Sequence, residues 1–191
     1  MASKLHVIIC STRPTRIGPA VAQWFYDEAV AHGRFDVELV DLADFNLPVF
    51  DEPEHPRLRR YQHAHTKAWS AKVEEADAFV FVTPEYNFGP PPSLINALNY
   101  LVVEWHYKPA SFVSYGGVSG GLRAVQVEKQ LLTTFKVMPI PEAVAIPMVA
   151  QYLDDNRVFN ASDITRNAVK PMLDELARWT DALKPLRSPV A

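Results

Sequence analysis

Between an apolar run and a helix-forming stretch, residues 11–19 read Ser-Thr-Arg-Pro-Thr-Arg-Ile-Gly-Pro. Ser11 and Thr12 bring hydroxyl donors, and Arg13 and Arg16 bring forked cationic ones. Gly18 with Pro19 opens a helix whose first backbone amides have no intrahelical acceptor. The turn contains no acidic residue. Such donors converging on a helix N-terminus make an anion site, and a terminal phosphomonoester suits it. The stretch is neither a G-x-x-x-x-G-K-S/T loop nor a G-x-G-x-x-G fingerprint, which argues against ATP, GTP and a Rossmann-bound dinucleotide. A competing reading is purely local: Ser11 or Thr15 caps the helix and both arginines are solvated.

Two later loops share this concentration of unusual residues. In "TPEYNFGPPPSLINALNYL", from Thr83 to Leu101, three consecutive prolines, Pro90 to Pro92, stiffen the chain just before a helix. Side chains placed by a stiff loop lose less entropy on binding. Tyr86, Asn87 and Phe88 there offer an aromatic face and an amide to a planar ligand; alternatively they form a tight turn with Tyr86 and Phe88 packed into the core. "SYGGVSGGLRA", from Ser114 to Ala124, holds Gly116, Gly117, Gly120 and Gly121, four of the seven glycines in the chain. Glycine lets backbone approach a ligand and lets amides point at it, as a planar heterocycle with carbonyls on its edge requires. An ordinary strand-to-helix turn accounts for two of these glycines more readily than for four.

The elements that must position these loops are legible from periodicity. "LHVIIC" (Leu5 to Cys10), "FDVELVDL" (Phe35 to Leu42), "DAFVFVTP" (Asp77 to Pro84), "KPASFVSYGG" (Lys108 to Gly117) and "EAVAIPM" (Glu142 to Met148) are short apolar strands. Helical stretches alternate with them. Val21, Phe25 and Ala29 recur every four residues until Gly33; Arg57 to Glu75 lacks proline and glycine; "PSLINALNYL" and "GGLRAVQVEKQLLTTF" follow, and Ser162 to Leu183 closes the chain, with Pro171 as a kink or restart. Strict alternation implies a parallel sheet covered on both faces, with ligands bound beyond the carboxyl ends of the strands, where all three loops fall.

The 191 residues suit one domain with a single well-formed core. A net charge of -3 gives no general attraction for nucleic acid, and it is mild for an acidic electron carrier. No segment reaches the roughly 20 apolar residues of a membrane span, so neither a nucleic acid nor a membrane is an expected partner. The lone cysteine, Cys10, forms no intrachain disulfide, which fits a cytoplasmic protein; ending an apolar run, it is expected to pack and stay inert. His63 and His65, spaced i, i+2, are expected on different sides of a helix and not as metal ligands, and the basic stretch "RLRRYQHAHTK" (57–67) is expected to be a solvated face.

Together "STRPTRIG", "PEYNFGPPPSLINAL" and "SYGGVSGGLRAVQVEKQL" resemble the NAD(P)H-dependent FMN reductase family, over roughly Lys4 to Phe135. The resemblance implies a flavodoxin-like fold, a five-stranded parallel sheet in the order 2-1-3-4-5 with helices on both faces, spanning 1–191 as one FMN-binding domain. It implies that Ser11, Arg13, Arg16, Ile17 and Gly18 hold the FMN phosphate, that Pro84, Glu85, Tyr86 and Asn87 lie beside the ribityl chain and ring, and that Ser114, Tyr115, Gly116 and Gly117 line the other edge. The family often has glycine where Cys10 stands, lysine at Ile95 and aspartate at Asn99. The resemblance further implies hydride from NADPH or NADH to flavin N5, electrons passed on to a small acceptor such as a quinone, azo compound or metal oxyanion, no catalytic side chain, and a homodimer or homotetramer in which Trp105 and His106 reach across the interface. The rival readings are a single-electron flavodoxin-type carrier, a flavin-based redox sensor, and a flavin-free phosphosugar module that leaves the clustered glycines unexplained.

Overall fold

The computed structural model describes residues 2–187; residues 1 and 188–191 of the expected domain lie outside the described residues. Six strands, β1 (Ser3–Ile9), β2 (Phe35–Asp41), β3 (Ala78–Pro84), β4 (Pro109–Tyr115), β5 (Met138–Pro139) and β6 (Val144–Ile146), form one parallel sheet. Their order is β2-β1-β3-β4-β5, with β6 also paired to β4. The expected order 2-1-3-4-5 is present, but its fifth position is split. "EAVAIPM" contributes only Val144–Ile146, while Met138–Pro139 pairs lower on β4. Pro139 and Pro141 have no N–H to donate, so one continuous ladder cannot run through them.

Five helices, α1 (Gly18–His32), α2 (Ala64–Glu75), α3 (Pro92–Asn99), α4 (Leu122–Thr134) and α5 (Asp163–Leu183), cover the sheet. Leu5, Val7 and Ile9 of β1 pack on one face with Val21 and Phe25 of α1 and Met172 and Leu176 of α5. Ile8 and Cys10 point to the other face, among Trp69 of α2, Leu94 and Leu98 of α3 and Leu132 of α4. A strand buried on both faces thus reads as one unbroken apolar run, and each such side chain contributes roughly 1.5–3 kcal/mol through burial. No described helix is long and apolar enough to cross a membrane.

Three expectations change here. The second helix starts at Ala64, not Arg57: Pro56–Leu58 is a single 3-10 turn ended by Arg59 at φ 53°, and the Glu52 carboxylate takes the amides of Gln62 (2.8 Å) and His63 (3.0 Å). His63 therefore stays extended, and its ring stacks on that of His65 at 5.1 Å and 8°. The two rings share one side, beside Asp51, instead of facing apart. Trp105 is fully buried against Trp69 and Phe79, so it cannot reach a neighbouring subunit. In the basic stretch, Arg59 pairs with Glu74 and Glu104, and Arg60 with Glu54. Helix α5 passes through Pro171 without a restart.

Candidate functional site

Strand β1 ends against β3, where the Cys10 amide bonds the Val82 carbonyl at 3.0 Å, and the chain turns into the Ser-Thr-Arg loop. Ser11 is buried, and the Tyr115 hydroxyl donates to its Oγ at 3.3 Å. Gly18 closes on the same pair: a Cβ there would stand 2.5 Å from Ser11 Oγ and 2.9 Å from Tyr115 Oη. Helix α1 has no side-chain cap and no acidic residue in its first turn. Neither Ser11 nor Thr15 caps it; Pro19 has no N–H and the Ala20 amide donates to the Ile17 carbonyl at 3.0 Å, so the Gly18 amide, next to Ile17, is the one the first turn keeps for an anion. Arg13 is exposed and enters no ion pair among the described residues.

Arg16 departs from the simple expectation of a cation free for phosphate. Its Nη2 holds Asp41 at the end of β2, and Asp41 Oδ1 accepts the Ala43 amide at 3.0 Å. An acid from a different strand thus enters a turn that has none of its own. Arg16 Nε is buried without a partner, so Asp41 does not use up the guanidinium's five N–H donors.

After β3, Tyr86 and Gly89 exchange two backbone bonds of 2.9 Å around Asn87 and Phe88, which have φ of 49° and 70°. Two left-handed central residues define the mirror-image tight turn, and a phenylalanine is an uncommon occupant of it. Phe88 is 68% exposed with the Arg123 guanidinium 3.9 Å over its ring, so it does not enter the core; Tyr86 is half-buried and Asn87 exposed. Pro84, the last residue of β3, is buried. The Glu85 carboxylate accepts Ser119 Oγ at 2.8 Å and the Arg123 amide at 3.1 Å, and pairs with Arg123 Nε at 3.2 Å. Because α4 has no side-chain cap of its own, Glu85 caps it from another loop. Glu85 is therefore a positioning residue whose carboxylate is occupied.

The glycine loop divides in two. Gly121, at φ 85°, leaves no room for a Cβ, which would stand 2.8 Å from Ser114 Cβ and 2.9 Å from the Tyr115 amide. Gly120 is likewise enclosed, by Pro147, and Ser114 Oγ donates to its carbonyl at 2.7 Å. These two glycines and Ser114 serve the turn itself. At Gly117 an added Cβ would meet nothing within 4 Å. Gly116 and Gly117 are anchored from behind by β6 and the residues after it, through Ile146, Met148 and Val149. Their open side lies at the carboxyl edge of β4, next to Glu85 and Tyr115.

The model of NADPH-dependent FMN reductases matches residues 3–151. The chain belongs to this family. An NAD(P)H-dependent FMN reductase of Schizosaccharomyces pombe is 42% identical over 147 residues, covering 75% of this chain and 74% of its own. A quinone reductase of Pseudomonas putida is 30% identical over 184 residues, covering 91% and 92%. Among solved structures, the flavoenzyme NAD(P)H:(acceptor) oxidoreductase of Paracoccus denitrificans superposes with a TM-score of 0.73 over 95% of this chain and 99% of its own, at 20% identity, which supports the shared fold.

For this FMN reductase family member, the residues fit the cofactor. An uncapped helix start, exposed Arg13 and the partnerless Arg16 Nε suit a phosphate, and the open edge at Gly117 suits a flat ring. Two residues escaped the sequence analysis. Asp41 gives no local signal, because its partner lies 25 residues away. Glu128 does give one: with Val125 and Leu132 it shares the apolar face of α4. It is fully buried, accepts Thr83 Oγ1 at 2.5 Å, and burial pushes its carboxyl up to about 8.

Proposed function

We propose that the chain holds FMN across the three cross-braced loops and turns over as an NAD(P)H-dependent reductase of small acceptors, with quinones as the preferred class. The observation that carries the site is the convergence of Ser11, Gly18 and Tyr115 where an uncapped helix N-terminus meets the glycine loop. Bound FMN supplies the hydride and electron chemistry. The chain's part is to bind and orient. Ser11, Arg13, the spare Arg16 donor and the amides of Ile17 and Gly18 take the phosphate; Pro84, Tyr86 and Asn87 flank the ring; Gly116 and Gly117 bring backbone to its edge. Glu85, Ser114 and Tyr115 hold those loops in register. The quinone class is supported by the Pseudomonas putida relative, which aligns over most of both chains.

Residues 1–191 would act as one domain, in a reducing cytoplasm where a lone unpaired thiol is ordinary. They would do so as a homodimer or homotetramer, with exposed Val49 and Phe50 beside α3 as an apolar face. Full activity in a species that sediments as a monomer would contradict that assembly. The deciding experiment is an absorption spectrum after adding FMN and desalting, followed by anaerobic NADPH or NADH. Retained flavin bands that bleach within seconds and return on adding a quinone support the reading; no retained flavin overturns it. A stable blue radical on stepwise reduction would favour a flavodoxin-type carrier.

A further inference from the structure

We infer that Arg157, just past residues 3–151 where the family model matches, is a positioning residue for the phosphate loop. The inference rests on assigning the FMN phosphate to the Ser11–Gly18 turn.

Residues 153–159 form a tight hairpin closed by a bridge between Leu153 and Phe159. Asp154 organises its tip: its carboxylate accepts the amides of Asn156 (2.9 Å) and Val158 (2.8 Å), and its carbonyl accepts that of Arg157 (2.8 Å). The base is fixed to α1 and its surroundings, since buried Phe159 packs edge-on against Trp24 with ring centres 5.2 Å apart. The hairpin is thus built on the same helix that the phosphate loop begins. At its tip, Arg157 has φ 63° and donates from Nη2 to the carbonyl of Thr15 at 2.8 Å and to that of Arg16 at 3.4 Å.

Those two carbonyls sit where the loop reverses into α1. Thr15 has φ 59°, an uncommon conformation for a β-branched residue, and it persists only where the surroundings fix it. The next two residues, Ile17 and Gly18, carry the open helix amides. One guanidinium therefore fixes the backbone reversal that aims the anion-binding amides, and its charge offsets two carbonyl dipoles beside them. No other described side chain donates to the Thr15 carbonyl.

The test separates the phosphate from the ring. Cofactor-free protein, wild type and the Arg157→Ala, Arg157→Lys and Arg13→Ala variants, is titrated with FMN and with riboflavin, which lacks the phosphate. Amide exchange is followed over residues 12–18. Arg157→Ala is expected to weaken FMN about ten-fold, short of the loss in Arg13→Ala because no direct contact to the phosphate goes, to leave riboflavin affinity unchanged, and to speed exchange in the loop. Arg157→Lys, which keeps the charge without the fork, is expected to fall between. Unchanged FMN affinity in Arg157→Ala, or equal losses for FMN and riboflavin, would overturn the inference. If Arg13→Ala alone weakens FMN, only the role of Arg157 falls; if neither variant does, the phosphate assignment falls with it.

Discussion

The two ends of β1 are both crowded with charge, and they use it differently. At the amino end, Lys4 and Lys72 both reach Glu38 and Glu75, at 2.7–3.4 Å, with the His6 ring 3.4 Å from Glu38. Each ammonium there has a carboxylate. His6, Glu38 and Glu75 stand close enough together to resemble a metal site, but the two lysines already neutralise both acids. At the carboxyl end, Arg13 pairs with no acid among the described residues, Arg16 keeps a partnerless donor and α1 is uncapped. A dense cluster of charge marks a structural knot when it is balanced and a binding site when donors are left over.

The largest test of that contrast is Gly121→Ala. With φ 85° and a Cβ inside 3 Å of Ser114 and Tyr115, it should lower stability by about 2–5 kcal/mol and abolish flavin retention, while Gly117→Ala, with open space around it, keeps the fold. Denaturant titration of the two variants checks this. Next comes Arg13→Ala, expected to weaken FMN by roughly 1.5–3 kcal/mol while Lys72→Ala leaves it unchanged; equal retention in both would erase the distinction between the ends.

Two buried groups set opposite pH trends. Burial holds His6 neutral down to about 4, so its share of stability is present above its ordinary value of 6.5 and is lost as pH falls towards 4. Glu128, raised by burial to about 8, is protonated in the fold; its share is present below 4.5 and lost as pH rises through about 8. Glu128→Gln should therefore flatten the alkaline side of a melting-temperature profile and leave the acid side alone. Smallest is the direct effect of Lys72→Ala on stability, under about 1 kcal/mol for a partly exposed pair and vanishing in high salt.

The strands, the three loops and most helix limits were legible because each rests on local chemistry: apolar periods, Gly33 at a helix end, Pro19 in a first turn; the order of the strands came only with the family resemblance. What stayed hidden was set by distant partners. Glu52 withholds the amides that would have begun α2 early, Asp41 takes Arg16, and Glu85 caps a helix that starts 37 residues later. Of the two readings of Tyr86 to Phe88, the tight turn is present, but it forces Phe88 outward onto Arg123 and not into the core. The divided role of the four glycines was hidden too, since only packing distances separate Gly120 and Gly121 from Gly117.

Quinones arylate thiols, so the proposed quinone turnover would expose the chain's own side chains to electrophiles. The chain's one cysteine, Cys10, is sealed: it has no exposed surface, its thiol donates inward to the Ile8 carbonyl, and burial with Glu128 and Asp41 nearby holds its pKa well above the ordinary value. With almost no thiolate and no access, it offers electrophiles no target, so the catalyst should outlast many rounds of exposure to compounds that poison ordinary thiol proteins.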